Sequence, residues 1–146
     1  AYSESPLVDG ERVIVSPGGA EATMVALNRT SGALVWKSAI PGGDTAGYAS
    51  PVVMEVGGVR QYVQFLGKVL VGVEAASGRF LWRYDKSVDT RFGVHAATPV
   101  VAGDTVYSAA AGGGGLARIR PVPQGMQVEP VYLERKAPTA LGGAVK

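Results

Sequence analysis

The stretch Ala26-Leu27-Asn28-Arg29-Thr30-Ser31-Gly32-Ala33-Leu34-Val35-Trp36 returns 46 residues later as Gly72-Val73-Glu74-Ala75-Ala76-Ser77-Gly78-Arg79-Phe80-Leu81-Trp82. In both copies a β-rich run ends on an acidic or amide residue, turns through Ser-Gly, and resumes as a second apolar run that closes on Trp. A hairpin with a Trp-bearing outer strand meets this pattern. Gly32 and Gly78 supply the positive φ such a turn needs, and the Ser31 or Ser77 hydroxyl can bond the turn's backbone. A second marker travels with the first: Ser5-Pro6-Leu7-Val8, Ser50-Pro51-Val52-Val53 and Thr98-Pro99-Val100-Val101, spaced 45 and 48 residues apart. The chain is therefore built from three units.

A period of this length fits four-stranded propeller blades or helical repeats. Helices fail on pattern, because the runs between Gly and Pro are short and rich in Val, Tyr and Phe. A β-sandwich of short strands is the competing fold. Strands are expected at 5–8, 12–16, 23–27 and 34–38 in the first unit and at 51–55, 61–66, 68–74 and 80–84 in the second. The third unit opens with strands at 98–102 and 105–109, then departs. Its 110–115 stretch reads as a flexible turn, with Gly112–Gly115 a candidate for disorder. Residues 117–120 and 129–132 are expected to form the outer hairpin, shortened by Pro121, Pro123 and Pro130, with Tyr132 where Trp would stand. The expected blades are 5–41, 50–86 and 98–136, with 141–146 the start of a further one. Closed propellers hold about four to eight blades. The reading is thus part of a longer propeller, or a chain that closes by pairing with another copy of itself.

The repeated residues resemble the PQQ-like β-propeller family of quinoprotein alcohol dehydrogenases and BamB-like proteins. That family's tryptophan-docking motif runs Ala, a β-branched or Leu residue, Asp or Asn, two free positions, Thr or Ser, Gly, three free positions, Trp. The first copy matches at Ala26, Asn28, Ser31, Gly32 and Trp36. The second matches at Ser77, Gly78 and Trp82, with Glu74 for the usual Asp and Gly72 for the usual Ala. The resemblance implies an all-β fold of four-stranded antiparallel blades, and an extracytoplasmic setting in periplasm, at the outer membrane or outside the cell. It also implies that Trp36 and Trp82 pack onto the Ser-Gly turn of a neighbouring blade, far from the axis where a cofactor would sit.

Composition narrows the partners. With 47% hydrophobic and 18% charged residues, a core can be buried and disorder of the whole is excluded. A net charge of +2, with no basic run interleaved with aromatics, argues against nucleic acid. The absence of Cys removes disulfides, thiol nucleophiles and Cys-type zinc sites. No apolar run reaches the ~18 residues of a membrane-spanning helix. No leader pattern opens the chain, so any signal peptide is expected ahead of Ala1.

Residues able to do chemistry are sparse. His95 is the single His, and without a Ser, Cys or carboxylate at a recognisable spacing it makes no catalytic motif. Tyr2, Tyr48 and His95 each fall just ahead of a unit's first strand. Together with Arg91, and with Glu4, Asp44 and Asp89 nearby, they mark a possible axial binding face. No calcium loop is present, and the Gly run lacks the Lys of a phosphate loop. No catalytic, cofactor-binding or metal residue is assigned. The reading adopted is a noncatalytic scaffold that binds other proteins. The alternative, also implied by the resemblance, is part of a PQQ- and calcium-dependent dehydrogenase of alcohols or sugars. The family's neighbouring-Cys disulfide and its calcium site of Glu, Asn and Asp find no counterpart here, since Asn28 is the one Asn and lies in the docking motif.

Overall fold

A computed structural model describes residues 3–86, 96–110 and 113–135. The described residues form three four-stranded antiparallel sheets and no helix. Blade 1 holds β1 (Leu7–Asp9), β2 (Arg12–Val15), β3 (Met24–Asn28) and β4 (Leu34–Ser38). Blade 2 holds β5 (Val52–Val56), β6 (Val59–Phe65), β7 (Leu70–Glu74) and β8 (Phe80–Tyr84). Blade 3 holds β9 (Val100–Ala102), β10 (Thr105–Ala110), β11 (Gly113–Val122) and β12 (Gly125–Glu134). In each sheet the strands lie side by side in chain order, an up-and-down arrangement of propeller blades.

Register makes the repeat explicit. One row of cross-strand neighbours runs Leu7–Ile14–Ala26–Trp36 in blade 1, Val52–Val63–Gly72–Trp82 in blade 2 and Val100–Tyr107–Leu116–Tyr132 in blade 3. Side chains alternate between faces, so the adjoining row lies on the opposite face. It runs Val8–Val13–Leu27–Leu34, Val53–Tyr62–Val73–Phe80 and Val101–Val106–Ala117–Pro130. The first row is called forward and the second rear, because the forward face of each blade packs on the rear face of the next. Ile14, Met24, Ala26 and Trp36 meet Tyr62, Val71, Val73 and Ala75 in one core, and Val63, Phe65, Leu70 and Trp82 meet Val106, Ala117 and Ile119 in another. Full burial of each such side chain stabilises by about 1.5–3 kcal/mol, so these two joints hold the stack together.

A β-bulge recurs at one place in all three blades. Val35, Leu81 and Val131 are the extra residues on the outer strand, each directly before Trp36, Trp82 or Tyr132. The bulge re-aims the following side chain, and Tyr132 occupies the Trp position of blade 3.

Blade 3 departs from expectation in its second half. Gly113, Gly114 and Gly115 are buried residues of β11 and not a turn. A Cβ on Gly113 would stand 2.7 Å from the Glu134 carbonyl oxygen, and one on Gly114 2.8 Å from the Tyr107 hydroxyl. Close approach, and not chain reversal, demands glycine there. The prolines do not shorten the hairpin either, since β11 and β12 are the longest strands described, at 10 residues each. Pro130 sits beside the bulge on the outermost strand, and Pro121 lies beyond the end of β10, so neither removes a central ladder bond.

Candidate functional site

The outer turns set the joint between blades 1 and 2. In blade 1 the Asn28 side-chain oxygen accepts from the Thr30 and Ser31 N–H groups at 3.0 and 2.9 Å, and the Gly32 N–H donates to the Asn28 carbonyl at 2.8 Å with φ +71°. In blade 2 the Gly78 N–H makes the same bond to Glu74, with φ +74°. Glu74 accepts from the Ser77 hydroxyl as Asn28 does from Ser31, its longer side chain adds a bond from Arg79, and these bonds hold its carboxyl below the usual range.

Trp36 lies over the second of these turns. Its indole N–H donates to the Ala75 carbonyl at 3.1 Å, and a Cβ on Gly78 would fall 2.5 Å from the ring. The Arg12 guanidinium donates to the same carbonyl. Trp82 does otherwise. Its ring covers Gly72 of its own blade, where a Cβ would meet the indole nitrogen at 2.2 Å, and its N–H bonds the buried Gln61 side-chain oxygen. Blade 3 offers no Ser-Gly turn to receive it. Trp82 is still 3% exposed, walled in by blade 3's apolar rear face.

Below Trp36 the two blades are tied by charge. The β5–β6 hairpin runs two residues further than β1–β2, because Gln61 pairs with Glu74 where Arg12 pairs with Asn28, while β6 already begins at Val59. The extension carries Arg60 to Asp9, with Nε–Oδ2 3.1 Å and Nη2–Oδ1 2.7 Å, and the Tyr62 hydroxyl donates to Asp9 at 2.8 Å. The Arg60 bonds lower the Asp9 pKa, while burial, aided by the Asp9 bond, pushes Tyr62 up to about 12. Asp9, Arg12, Arg60, Tyr62 and Glu74 line a cleft of ≈ 580 Å³, where Arg60 pairs with Asp9, Arg12 donates to the Ala75 carbonyl and Glu74 accepts from Arg79. Sequence reading missed this cluster, since Asp9 and Arg60 share no periodic mark.

Toward the inner strands the Ser/Thr-Pro markers are linked. The Ser5 N–H donates to the Ser50 hydroxyl at 2.9 Å, and the Ser50 N–H to the Thr98 hydroxyl at 3.3 Å. Glu4 accepts from the Ser16 N–H at 2.5 Å and from the Gln64 amide at 3.2 Å. Asp44 braces the β6–β7 turn by accepting from the Lys68 and Val69 N–H groups at 2.8 and 3.2 Å. Of the axial candidates, Tyr48 is half-buried next to the buried Ala49. Tyr2, Asp89, Arg91 and His95 lie outside the described residues. Among the described residues, no group of three or more His, Asp or Glu converges as a metal site.

The family model for the outer membrane protein assembly factor BamB matches residues 1–142. The chain belongs to that family. Among solved structures it is similar to BamB from Moraxella catarrhalis, with a TM-score of 0.58 and 20% sequence identity, covering 88% of this chain and 35% of that one. The chain thus spans about a third of that protein's length. A search of curated protein sequences returns no match. At this identity the likeness establishes the propeller fold, and the all-β, PQQ-like reading of the repeat stands.

Within this BamB-family chain, blade 3 carries an element outside the repeat. Beyond Arg118, which pairs with Thr105 at the end of β10, β11 and β12 continue together as far as Val122 and Gly125. The overhang packs Pro121 on the β5–β6 turn, where a Gly57 Cβ would stand 2.4 Å from the ring. Beside it a groove of ≈ 460 Å³ is lined by Val59, Arg79, Leu81, Pro121, Val122 and Met126. No helix among the described residues is long and apolar enough to cross a membrane.

Proposed function

We propose that the chain is a noncatalytic propeller module, a rigid protein-interaction scaffold within an extracytoplasmic bacterial protein that serves outer-membrane protein assembly. Family membership supports the setting. The observation that carries the scaffold reading is how the described carboxylates nearest the joints are used. Glu4, Asp9, Asp44 and Glu74 each brace backbone or a neighbouring side chain, which stiffens the frame. The partner-facing element is the overhanging β11–β12 hairpin, whose exposed Val122 lines a groove of mixed apolar and polar character with Leu81, Met126 and Arg79. A groove that sets apolar side chains beside an Arg on a stiff frame suits protein recognition.

Site-specific photo-crosslinking in the bacterium that makes the protein tests this. A crosslinker at Val122 is expected to trap a component of outer-membrane protein assembly, and one at Lys68, on the opposite turns, is not. A chain found wholly in the cytoplasm, or equal trapping at both positions, counts against the reading. Titration with PQQ and calcium decides the alternative. Saturable quenching of Trp36 and Trp82 fluorescence at micromolar cofactor would replace the scaffold with a dehydrogenase module.

A further inference from the structure

The overhang of blade 3 changes the outer rim beside blade 2. Val35 and Leu81 are the bulge residues of blades 1 and 2, and each has a described blade on its forward side, yet Val35 is 45% exposed and Leu81 9%. Leu81 is covered by the extended hairpin, whose Met126 and Val128 pack against its cluster. The groove beside the overhang has Leu81 in its lining for this reason. Both walls are described residues, and β8 and β12 lead to undescribed ones only at their other ends, past Lys86 and Arg135. Among the residues that line the groove, Arg79 alone carries charge. Its bond to Glu74 uses one of the guanidinium's N–H donors, its side chain is 61% exposed, and Glu74 belongs to the cleft between blades 1 and 2. The groove therefore sets cationic N–H donors beside apolar side chains, with no carboxylate of its own.

We propose that this groove takes an extended protein segment in which an Asp or Glu stands beside a bulky apolar residue. The carboxylate pairs with Arg79, whose planar fork suits it, and the apolar side chain lies against Leu81, Val122 and Met126. Pro121 and Pro123 hold φ fixed in the overhanging wall, so little of the binding energy goes into ordering it. A small polar molecule fits less well, because such sites converge several polar groups on the ligand. Here the polar side chains are Arg79 and Gln124, both exposed. A basic segment is repelled by Arg79 and finds no acid in the groove to offset it. The inference rests on the scaffold reading for the groove's being a contact surface, and adds to it the chemistry of what is contacted.

A heptapeptide library displayed on phage and selected against the full chain is the test. The selected peptides are expected to carry Asp or Glu close to Leu, Phe or Tyr. Arg79→Glu should weaken their binding at least ~10-fold, and exchanging the peptide's acidic residue for Lys should restore binding to that variant. Arg79→Gln, which adds no repulsion at the Glu74 turn, should lose binding as well, and so should Val122→Ser. Lys68→Glu makes the same change of charge at the opposite turns and should leave binding within ~2-fold, since distant exposed charges are screened. Circular dichroism checks that each variant keeps its fold. Selection of basic or uncharged peptides, no selection at all, or binding that both Arg79 variants leave unchanged would overturn the inference. The scaffold reading fails separately. If the Val122 crosslinker traps an assembly component while the selected peptides are basic, the scaffold stands and the acidic segment falls. Acidic peptides bound through Arg79, with nothing trapped at Val122, give the reverse.

Discussion

The Ala75 carbonyl takes the Trp36 indole N–H and the Arg12 guanidinium together, so two side chains of blade 1 depend on one oxygen of blade 2. Trp36→Ala removes the buried ring and one of those bonds, and should lower stability by ~3 kcal/mol or more in chemical denaturation. Gly78→Ala and Gly32→Ala separate two effects on the same kind of turn. Both place a Cβ at positive φ, at about 1 kcal/mol or more, but only Gly78→Ala also strikes an indole. It should be the worse by a clear margin, and equal midpoints would mean that the ring shifts freely. Asp9 adds a pH dependence. Its folded-state pKa is lowered, chiefly by the Arg60 bonds, so its contribution is complete above the unfolded value of about 3.9 and disappears as pH falls through the lower folded value. Arg60 is half exposed, which limits the effect to below ~1 kcal/mol. Asp9→Asn should therefore flatten part of the fall in thermal midpoint between about pH 5 and about pH 2. The turns and the Trp positions were legible in sequence because they are local and repeat. The Asp9–Arg60–Tyr62 cluster was not, since it joins residues more than 50 positions apart through a hairpin extension that has no composition of its own.

At the scale of elements, the hairpins of blades 1 and 2 were readable from Ser-Gly turns and alternating apolar runs, and β4 and β8 fall where the pattern put them. The outer hairpin of blade 3 was not, because glycine has two uses that sequence does not separate. In Gly32 it permits positive φ, whereas in Gly114 it makes room for the Tyr107 hydroxyl. Proline misled for a related reason, since its cost depends on whether the strand lies at an edge, and edges are tertiary facts. The overhang offers a direct comparison. Gly57→Ala meets Pro121 at 2.4 Å in addition to its φ of +60°, while Gly58→Ala, at φ +75°, meets nothing within 4 Å. Gly57→Ala should cost the full backbone strain plus displacement of the hairpin, ~2 kcal/mol or more in all, and should alter the β11–β12 amide shifts in NMR spectra. Gly58→Ala should leave those shifts in place.

In the whole molecule, blade 2 alone has both faces covered by described neighbours, and the central strands β6 and β7 are buried along most of their length. A stack held by nearest-neighbour joints opens from its ends. Amide hydrogen exchange should therefore be slowest in β6 and β7 and faster in β1 and β12, and uniform protection across the blades would contradict a serial stack. The marker ladder has a further consequence. Each link runs from a backbone N–H to the hydroxyl of the following unit, so a unit is asked only to bring one hydroxyl and to offer one amide in return. Duplication of any stretch one period long, wherever the copied gene segment begins, restores both ends of that exchange. The ladder itself thus asks for no compensating substitution at the seam where a blade is gained or lost.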